Sequence, residues 1–305
     1  MQHVAIDLGS RESQICARDK DGVIVDEARL STSALPSWLG KQPHSCVVME
    51  ACSEAFAVAD AASEAGHEVR VVPGTLVRAL GVGARGIKSD VRDARALSEA
   101  SCRMSVPSVH ISSPAARRLK TLCRMRNALV RSRTLLINTV RGWMRTNLVR
   151  PRSGVSETLP QRVRDACETV PGFVQRQLLT IEMLTDQIKD ADKEMATIAA
   201  QSKVCERLTS IPGVGVATAV LFEATVDDVT RFSSAHSLTS YLGLTPGERS
   251  SGDKKRTTGI TKAGPPQMRW LLVQCAWSFL RLRPNDPAAQ WATKIMERRG
   301  RMIGI

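Results

Sequence analysis

The sequence is poor in aromatic residues and lacks the marks of a zinc-binding, secreted or membrane protein. Aromatics make up 4% of the 305 residues and hydrophobic residues 43%, so we expect cores built from Ala, Val, Leu and Ile. The eight cysteines include no C-x-x-C pair and the five histidines are scattered, which argues against a zinc site. No signal peptide precedes His3, and no apolar run reaches the ~18 residues of a membrane span. We therefore expect a cytoplasmic protein with reduced thiols and no membrane partner.

Acidic residues are absent from Ala100 to Ser156, a stretch that contains twelve Lys and Arg residues. The whole chain carries a formal net charge of +13. A basic stripe on a helix is typical of proteins that bind nucleic acid or an anionic membrane, and we favour nucleic acid. The alternative is a solvated helix face. The predicted phosphate-binding residues of this stretch are Arg117, Arg118, Lys120, Arg124, Arg126, Arg131 and Arg133.

The first hundred residues alternate apolar runs with turn signals. Strands are predicted at HVAIDLG, QICAR, VIVDEARL, CVVME and HEVRVVP, with a hairpin turn at Asp19–Gly22. Helices are predicted between the later strands and after them. The order of three strands, helix, strand, helix, strand, helix is that of the ribonuclease-H-like fold, an α/β architecture. The length predicts two or three domains in all.

Four carboxylates lie where such a fold would bring them together. Asp7 ends the first strand, and Glu50 ends the later parallel strand. Asp90 and Asp93 open a helix predicted over residues 92–100, and because they lie one helical turn apart, both project from one face. Taken singly, each acid is typical of a plain surface residue. Converging carboxylates repel one another, however, and hard divalent cations relieve the repulsion. We therefore predict Mg²⁺ or Mn²⁺ ions that clamp the oxygens of a phosphodiester.

The rest of the chain is predicted to be mainly helical. Residues 114–148 form a long basic helix that ends at the breaker PRSG. A later heptad seam indicates either a coiled-coil arm or an ordinary helix packed within its own chain; it consists of Leu184, Ile188, Ala191, Met195 and Ile198. The stretch LTSIPGVGVATAVLFEA predicts a helix-hairpin-helix-like element. Its glycines serve either phosphate binding or packing. The predicted domains are residues 1–150, 151–203 and 204–305.

A polar, basic, Gly-rich loop lies between two apolar helices near the C-terminus, in YLGLTPGERSSGDKKRTTGITKAG. Ser250 and Ser251 precede a glycine there. Serine in such a loop is usually a plain loop residue, and a nucleophile is the alternative. The basic residues that would hold a phosphate backbone nearby are Arg249, Lys254, Lys255, Arg256 and Lys262.

The motifs IDLGS, VVMEA and KSDVRDAR, followed by SIPGVGVATA and the Gly-rich loop, occur in one order along the chain. Together they resemble the bridge-RNA-guided insertion-sequence transposases. These are DEDD recombinases with a RuvC-like N-terminal domain and a serine-bearing C-terminal transposase domain. The likeness spans nearly the whole chain. It implies an α/β RuvC-like domain, a helical coiled-coil arm and a mostly α-helical C-terminal domain.

The resemblance also implies a function, a DNA transposase or recombinase of a prokaryote. It implies Asp7, Glu50, Asp90 and Asp93 as magnesium ligands. It implies Ser251 as the nucleophile that forms a phosphoserine link to DNA, activated by the metal site of its own or a neighbouring subunit. The implied partners are target and donor DNA, a structured guide RNA, and further copies of the chain in a dimer or tetramer.

Two departures from the family pattern and three other interpretations remain. MEACSEA lacks the Gly and aromatic that commonly follow the second acid, and the chain stops at GRMIGI where family members run on into another helix. We therefore expect a shortened copy of the family's protein, in which loss of activity is a greater risk than loss of the fold.

A RuvC-like nuclease or junction resolvase would use the four acids without Ser251. A non-catalytic binding module would tolerate their loss. IDLGS also resembles a phosphate loop of actin-like kinases, but the second Asp-x-Gly-Gly element is missing.

Overall fold

The computed structural model describes residues 1–79, 89–249 and 257–304. The chain divides into two compact units, Met1–Ser112 and Ser113–Ile305. The division into residues 1–150, 151–203 and 204–305 stays a prediction. Every helix within the described ranges is too short or too polar to span a bilayer.

The first unit is built on one mixed sheet of five strands. They are β1 (Gln2–Asp7), β2 (Glu12–Arg18), β3 (Ile24–Ser31), β4 (Ser45–Glu50) and β5 (Glu68–Val72). Their order across the sheet is β3-β2-β1-β4-β5. The first three strands pair antiparallel, while β4 is parallel to both β1 and β5. This sheet confirms the predicted strands and is consistent with a RuvC-like domain.

Helices cover both faces of this sheet. They are α1 (Leu35–Leu39), α2 (Ala55–Glu64), α3 (Gly74–Ala79) and α4 (Asp90–Arg103). Alternate residues of β1 serve opposite faces: Val4 and Ile6 pack in the core with α1 and α2, whereas Ala5 packs in the core with Leu97 of α4. Each fully buried Val or Ile contributes about 1.5–3 kcal/mol of transfer free energy. The alternation fixes which strand residues α4 covers.

The predicted hairpin turn joins β2 to β3. The side-chain Oδ1 of Asp19 accepts hydrogen bonds from the backbone N–H groups of Asp21 and Val23, each at 2.9 Å. Gly22 adopts a φ of +84°, which suits glycine. The turn chemistry therefore holds the β2–β3 register.

The second unit is mostly helical. Its elements are α5 (Pro114–Thr146), α6 (Leu159–Asp165), α7 (Gly172–Ala200), α8 (Lys203–Thr209), α9 (Val216–Val226), α10 (Ala235–Tyr241), β6 (Pro246–Glu248), β7 (Thr257–Ile260), α11 (Pro266–Leu282), α12 (Pro287–Arg299) and α13 (Arg301–Gly304). The long basic helix begins where its sequence signals predict, because Ser113 caps it and Pro114 opens it.

α5 and α7 pack against each other along much of their length. Val140 of α5 shares a core with Leu178 of α7 near one end, and Cys123 shares a core with Met195 near the other. The residue number rises along α7 where it falls along α5, so the two helices are antiparallel. Leu184 of the heptad seam is likewise buried within the single chain. Packing inside the chain therefore accounts for the seam, and an oligomerising arm stays a prediction.

Candidate active site and nucleic-acid-binding face

Asp7 and Glu50 lie at the same edge and on the same face of the sheet. β1 and β4 pair in a parallel register that brings their last residues side by side. Because side chains alternate along a strand, Asp7 shares a face with Ala5, and Glu50 shares a face with Val48. Ala5, Val48 and Leu97 of α4 belong to one core. Both carboxylates are therefore on the face that α4 covers.

α4 runs antiparallel to β1 and carries Asp93 toward that edge. At the other end of the strand, the Oγ of Ser101 lies 2.8 Å from Nδ1 of His3. From Ser101 back to Asp93 the helix axis covers about 12 Å, at about 1.5 Å per residue. A strand covers that distance in about four residues, which is the separation of His3 and Asp7. Asp93 thus comes level with Asp7, and it is buried, with 7% of its surface exposed.

Asp90 has a different setting, at the first position of α4 and exposed to solvent. Ser89 caps the helix, since its hydroxyl accepts a hydrogen bond from the backbone N–H of Arg92 at 3.4 Å. Carboxylates in the first turn of a helix also offset the positive end of its dipole. The position of Asp90 therefore favours the start of α4 whether or not a metal ion is bound.

The Glu50 carboxylate lies directly against the backbone of Gly74, the first residue of α3. A Cβ at Gly74 would collide with Oε1 of Glu50. No periodic pattern reveals this glycine. A glycine directly after the strand-ending Val72 and Pro73 is nevertheless a signal of close backbone approach. A larger residue at this position would displace the carboxylate of Glu50.

The donor atoms of the acids fit a hard divalent cation, because carboxylate oxygens are its preferred ligands. Three of them, Asp7, Glu50 and Asp93, face the same side of the sheet at or near one edge. Across residues 1–79, 89–249 and 257–304, however, no group of three or more His, Cys, Asp or Glu residues is arranged to hold a metal ion. The chemistry fits, and metal binding by Asp7, Glu50, Asp90 and Asp93 stays a prediction.

The predicted nucleophile and part of the basic loop lie outside the described residues: Ser251, Lys254, Lys255 and Arg256, together with Ser250. The flanking strands β6 and β7 pair antiparallel. At their base, the N–H of Lys262 donates to the carbonyl of Gly243 at 3.1 Å. Lys262 has a φ of +58°, a left-handed conformation that costs a non-glycine residue about 1–2 kcal/mol. Lys262 and Arg249 are both exposed.

Two predicted phosphate-binding residues of α5 are engaged in ion pairs with other segments of the second unit. Arg126 donates to both carboxylate oxygens of Asp192 in α7, at 2.9 and 3.2 Å. Arg133 pairs with Glu157 at 3.2 Å and donates to the hydroxyl of Thr185 at 3.3 Å. These arginines therefore join α5 to α7 and to the segment before α6.

The other basic residues of α5 have different surroundings. Arg118, Arg124 and Arg131 are exposed, and Arg117 and Lys120 are half-buried. Within the part of the chain that the structure describes, Arg124 and Arg131 form no ion pair or hydrogen bond with their side chains. Burial lowers the pKa of Lys120 below the ordinary lysine value, while the charge of Asp227 acts in the opposite direction. Arg124 and Arg131 are thus positioned to meet an external anion.

Comparison with known proteins matches both ends of the chain to transposases. A DEDD transposase model of IS110 elements matches residues 4–147. A model described as transposase, IS116/IS110/IS902 family, matches residues 205–291. The chain is 30% identical over 306 residues to the transposase for insertion sequence element IS1111A of Coxiella burnetii, across 97% of this chain and 83% of that protein. The chain belongs to the IS110/IS116/IS902 family of insertion-sequence transposases.

Two further relatives extend over most of the transposase. The chain is 29% identical over 289 residues to the transposase for insertion sequence element IS1328 of Yersinia enterocolitica, and the alignment covers 91% of this chain and 83% of that protein. It is 26% identical over 310 residues to a probable family 20 transposase of Pseudomonas aeruginosa, covering 98% and 90%. The family assignment therefore rests on alignments that run through both compact units.

The two family matches divide the candidate residues of the transposase between them. The DEDD match contains the four acids and α5, and the second match runs from α8 into α12 and includes the loop with Ser251. The matches give the family and the regions, and the roles of single residues are proposals.

Proposed function

We propose that this transposase cuts and rejoins DNA through a covalent link between Ser251 and a DNA phosphate, with divalent metal ions bound by the four acids of the first unit. Those acids are Asp7, Glu50, Asp90 and Asp93. The observation that carries the proposal is the common placement of Asp7, Glu50 and Asp93 toward one edge of one sheet face. Membership of a transposase family supports the reaction class.

A covalent serine intermediate suits an enzyme that has to rejoin the strands it breaks, because a serine ester conserves the phosphodiester bond that hydrolysis would discard. In the first step the Ser251 oxygen loses its proton and attacks phosphorus. The bond from phosphorus to the deoxyribose oxygen breaks, and that oxygen takes up a proton as it leaves. In the second step a hydroxyl of the new strand attacks the phosphoserine, and Ser251 recovers its proton.

A serine hydroxyl is a weak nucleophile without activation. A bound Mg²⁺ or Mn²⁺ would supply positive charge at the phosphate and at the attacking and leaving oxygens. The four acids would provide the oxygen ligands, and the absence of a side chain at Gly74 leaves room for the Glu50 carboxylate. The acids that serve one Ser251 come from the same chain or from another copy in a dimer or tetramer.

The basic surface residues would hold the nucleic-acid partners, which we propose to be target DNA, donor DNA and a structured guide RNA. Arg118, Arg124 and Arg131 on α5 are exposed, as are Arg249 and Lys262 beside the predicted serine loop. A net charge of +13 favours association with phosphate backbones.

The test of the mechanism is detection of a protein–DNA adduct. The transposase, its copurifying RNA, Mg²⁺ and end-labelled DNA are mixed, and the products are separated under denaturing conditions. We expect label on the protein, with complete loss in Ser251→Ala and little loss in the matched control Ser250→Ala. Asp93→Asn should also abolish the adduct, because a ligand of the metal ion is removed.

The outcomes separate the main alternatives. RNA binding measured in the same samples should be unchanged in Ser251→Ala, which shows that the variant is folded. Cleaved strands without any adduct would overturn the serine mechanism and favour a RuvC-like nuclease or junction resolvase. An adduct that persists in Ser251→Ala would assign the nucleophile to another residue.

A further inference from the structure

A groove between α5 and the start of α11 crosses the surface of the second unit. It consists of two adjoining cavities of about 550 and 370 Å³. Arg131 of α5 lines both cavities, as do Pro266 and Gln267 at the beginning of α11. Because the two cavities share these walls, a single extended ligand can occupy both.

The groove is positively charged. Its charged lining residues are Lys120, Arg124 and Arg131, and none of the described residues that line it is acidic. Arg124 and Arg131 are exposed and have no ion-pair partner within the described ranges. Their charge is therefore available to an anion. This arrangement differs from that of Arg126, which is two residues away from Arg124 and pairs with Asp192.

The wider cavity also contains an exposed aromatic ring. Trp270 lines it and is 59% exposed, in a chain with only 4% aromatic residues. Trp270 lies about one helical turn after Pro266 and Gln267, so it faces the same side of α11. A flat apolar ring next to cations is the combination on which unpaired bases stack while their phosphates are neutralised.

Two amide side chains complete the lining of this cavity. Asn127 on α5 and Gln267 on α11 each offer a hydrogen-bond donor and an acceptor. Both are partly buried. Groups of this kind hydrogen-bond to the edge of a base as well as to phosphate oxygens, so the lining suits a base and its flanking phosphate together.

We propose that this groove binds an unpaired nucleotide of single-stranded DNA or RNA, with the base stacked on Trp270 and the flanking phosphates held by Arg124 and Arg131. A single strand is required because the bases of a duplex are covered on both faces by their neighbours. The inference rests on the proposed action of this transposase on nucleic acid, and it adds a site and a strandedness for the ligand.

Trp291 provides a matched control. It is 65% exposed, close to the exposure of Trp270. The cavity that it lines is apolar, with neighbours such as Ile211 and Phe279 and no charged residue among its described walls. Removal of Trp291 therefore deletes a similar surface ring without removing a ring that faces cations.

The experiment measures binding of the full chain to labelled oligothymidine DNA, oligouridine RNA and a DNA duplex of equal length by fluorescence anisotropy. Trp270→Ala should weaken binding of the single strands roughly 5- to 150-fold, the range expected for loss of one stacked base. Trp270→Phe should retain most of the affinity, and Trp291→Ala should stay within about twofold of the unmodified protein, as expected for a residue outside the site. Duplex binding should be almost unchanged by Trp270→Ala.

Two further readouts keep the test decisive. Quenching of tryptophan emission by the oligonucleotides should be largely lost in Trp270→Phe and kept in Trp291→Phe. Equal affinity of Trp270→Ala and the unmodified protein for single strands, or equal weakening on the duplex, would overturn the stacking site. If Arg124→Gln/Arg131→Gln loses affinity while Trp270→Ala does not, nucleic-acid binding by the basic helix stands and only the stacking site fails. A loss confined to DNA or to RNA identifies which single strand the groove holds.

Discussion

Both the backbone conformation and the close neighbours of Gly213 require a glycine at this position. It lies in the turn between α8 and α9 and has a φ of +93°, in the left-handed region that favours glycine. A Cβ there would lie 2.9 Å from the carbonyl oxygen of Cys275 and 3.0 Å from the backbone nitrogen of Phe279, both in α11. Of the two interpretations of this Gly-rich turn, the contacts favour close packing at Gly213.

Gly213→Ala should therefore destabilise the protein by about 2–5 kcal/mol, from about 1–2 for the left-handed conformation and about 1–3 for the overpacking. Gly215→Ala is the control, because Gly215 has a φ of −92° and open space around its Cβ position. It should cost at most about 1 kcal/mol, because Gly215 is the N-cap residue of α9 and glycine is preferred to alanine at that position. Urea unfolding of both variants measures the difference. Equal stability with selective loss of DNA affinity in Gly213→Ala would instead support the phosphate-binding interpretation.

At the scale of the element, α5 carries two pairs of arginines with opposite surroundings. Arg124 and Arg131 are exposed, and Arg126 and Arg133 form ion pairs. The two pairs are offset by two residues, which is a rotation of about 200° around a helix. One face of α5 is therefore tied to the rest of its unit and the opposite face is available to nucleic acid.

This difference predicts separate effects in binding and in stability. Each lost phosphate contact reduces the slope of log K against log salt by about 0.7–0.9, so Arg124→Gln/Arg131→Gln should flatten the slope by about 1.5. Arg126→Gln/Arg133→Gln should leave the slope nearly unchanged and lower the melting temperature, because Asp192 and Glu157 lose their partners. Titrations of one oligonucleotide at several salt concentrations measure the slope. If both double variants kept the slope of the unmodified protein, α5 would bind its ligand through neither face, and equal flattening in both would contradict the division of α5 into two faces.

The elements that could be predicted from the sequence are those with local signals. The strands, their order, the Asp19–Gly22 turn and the limits of α5 follow from apolar runs, turn residues and caps, all within a few residues of each other. The two arginine pairs of α5 look alike in the sequence, because their difference comes from α7, far along the chain. The ion pairs of Arg126 with Asp192 and of Arg133 with Glu157 therefore had no signal in the sequence, and phosphate binding by these two arginines stays a prediction.

The candidate site was likewise predictable only where its residues have local sequence signals. Asp7 and Glu50 are marked by their positions at strand ends, and Asp93 by its place at a helix start. The closeness of Gly74 to Glu50 depends on how β5 leads into α3 beside β4, which no local pattern contains. The groove at Trp270 depends on the packing of α11 near α5, since the two helices are far apart in sequence.

At the scale of the whole molecule, the acids and most of the basic residues belong to different compact units. The four predicted metal ligands are all in Met1–Ser112, and the basic residues predicted to bind phosphate are all in Ser113–Ile305. A metal ion that binds the acids should thus stabilise the first unit directly. A general effect of ionic strength would act on exposed charges throughout the chain.

Hydrogen exchange of the full chain, followed by mass spectrometry, can locate that effect. With Mg²⁺ or Mn²⁺ at ten times its dissociation constant, a site present only in the folded state adds about 1.4 kcal/mol of stability. Exchange should therefore slow at the ends of β1 and β4 and in the first turn of α4, and stay unchanged in α5 and α11. Asp93→Asn should remove the metal effect, because a ligand of the metal ion is lost. Asp26→Asn, which changes an exposed acid on β3 by the same charge, should leave the metal effect intact. Equal slowing in both units, or none in the unmodified protein, would contradict a metal site at these acids.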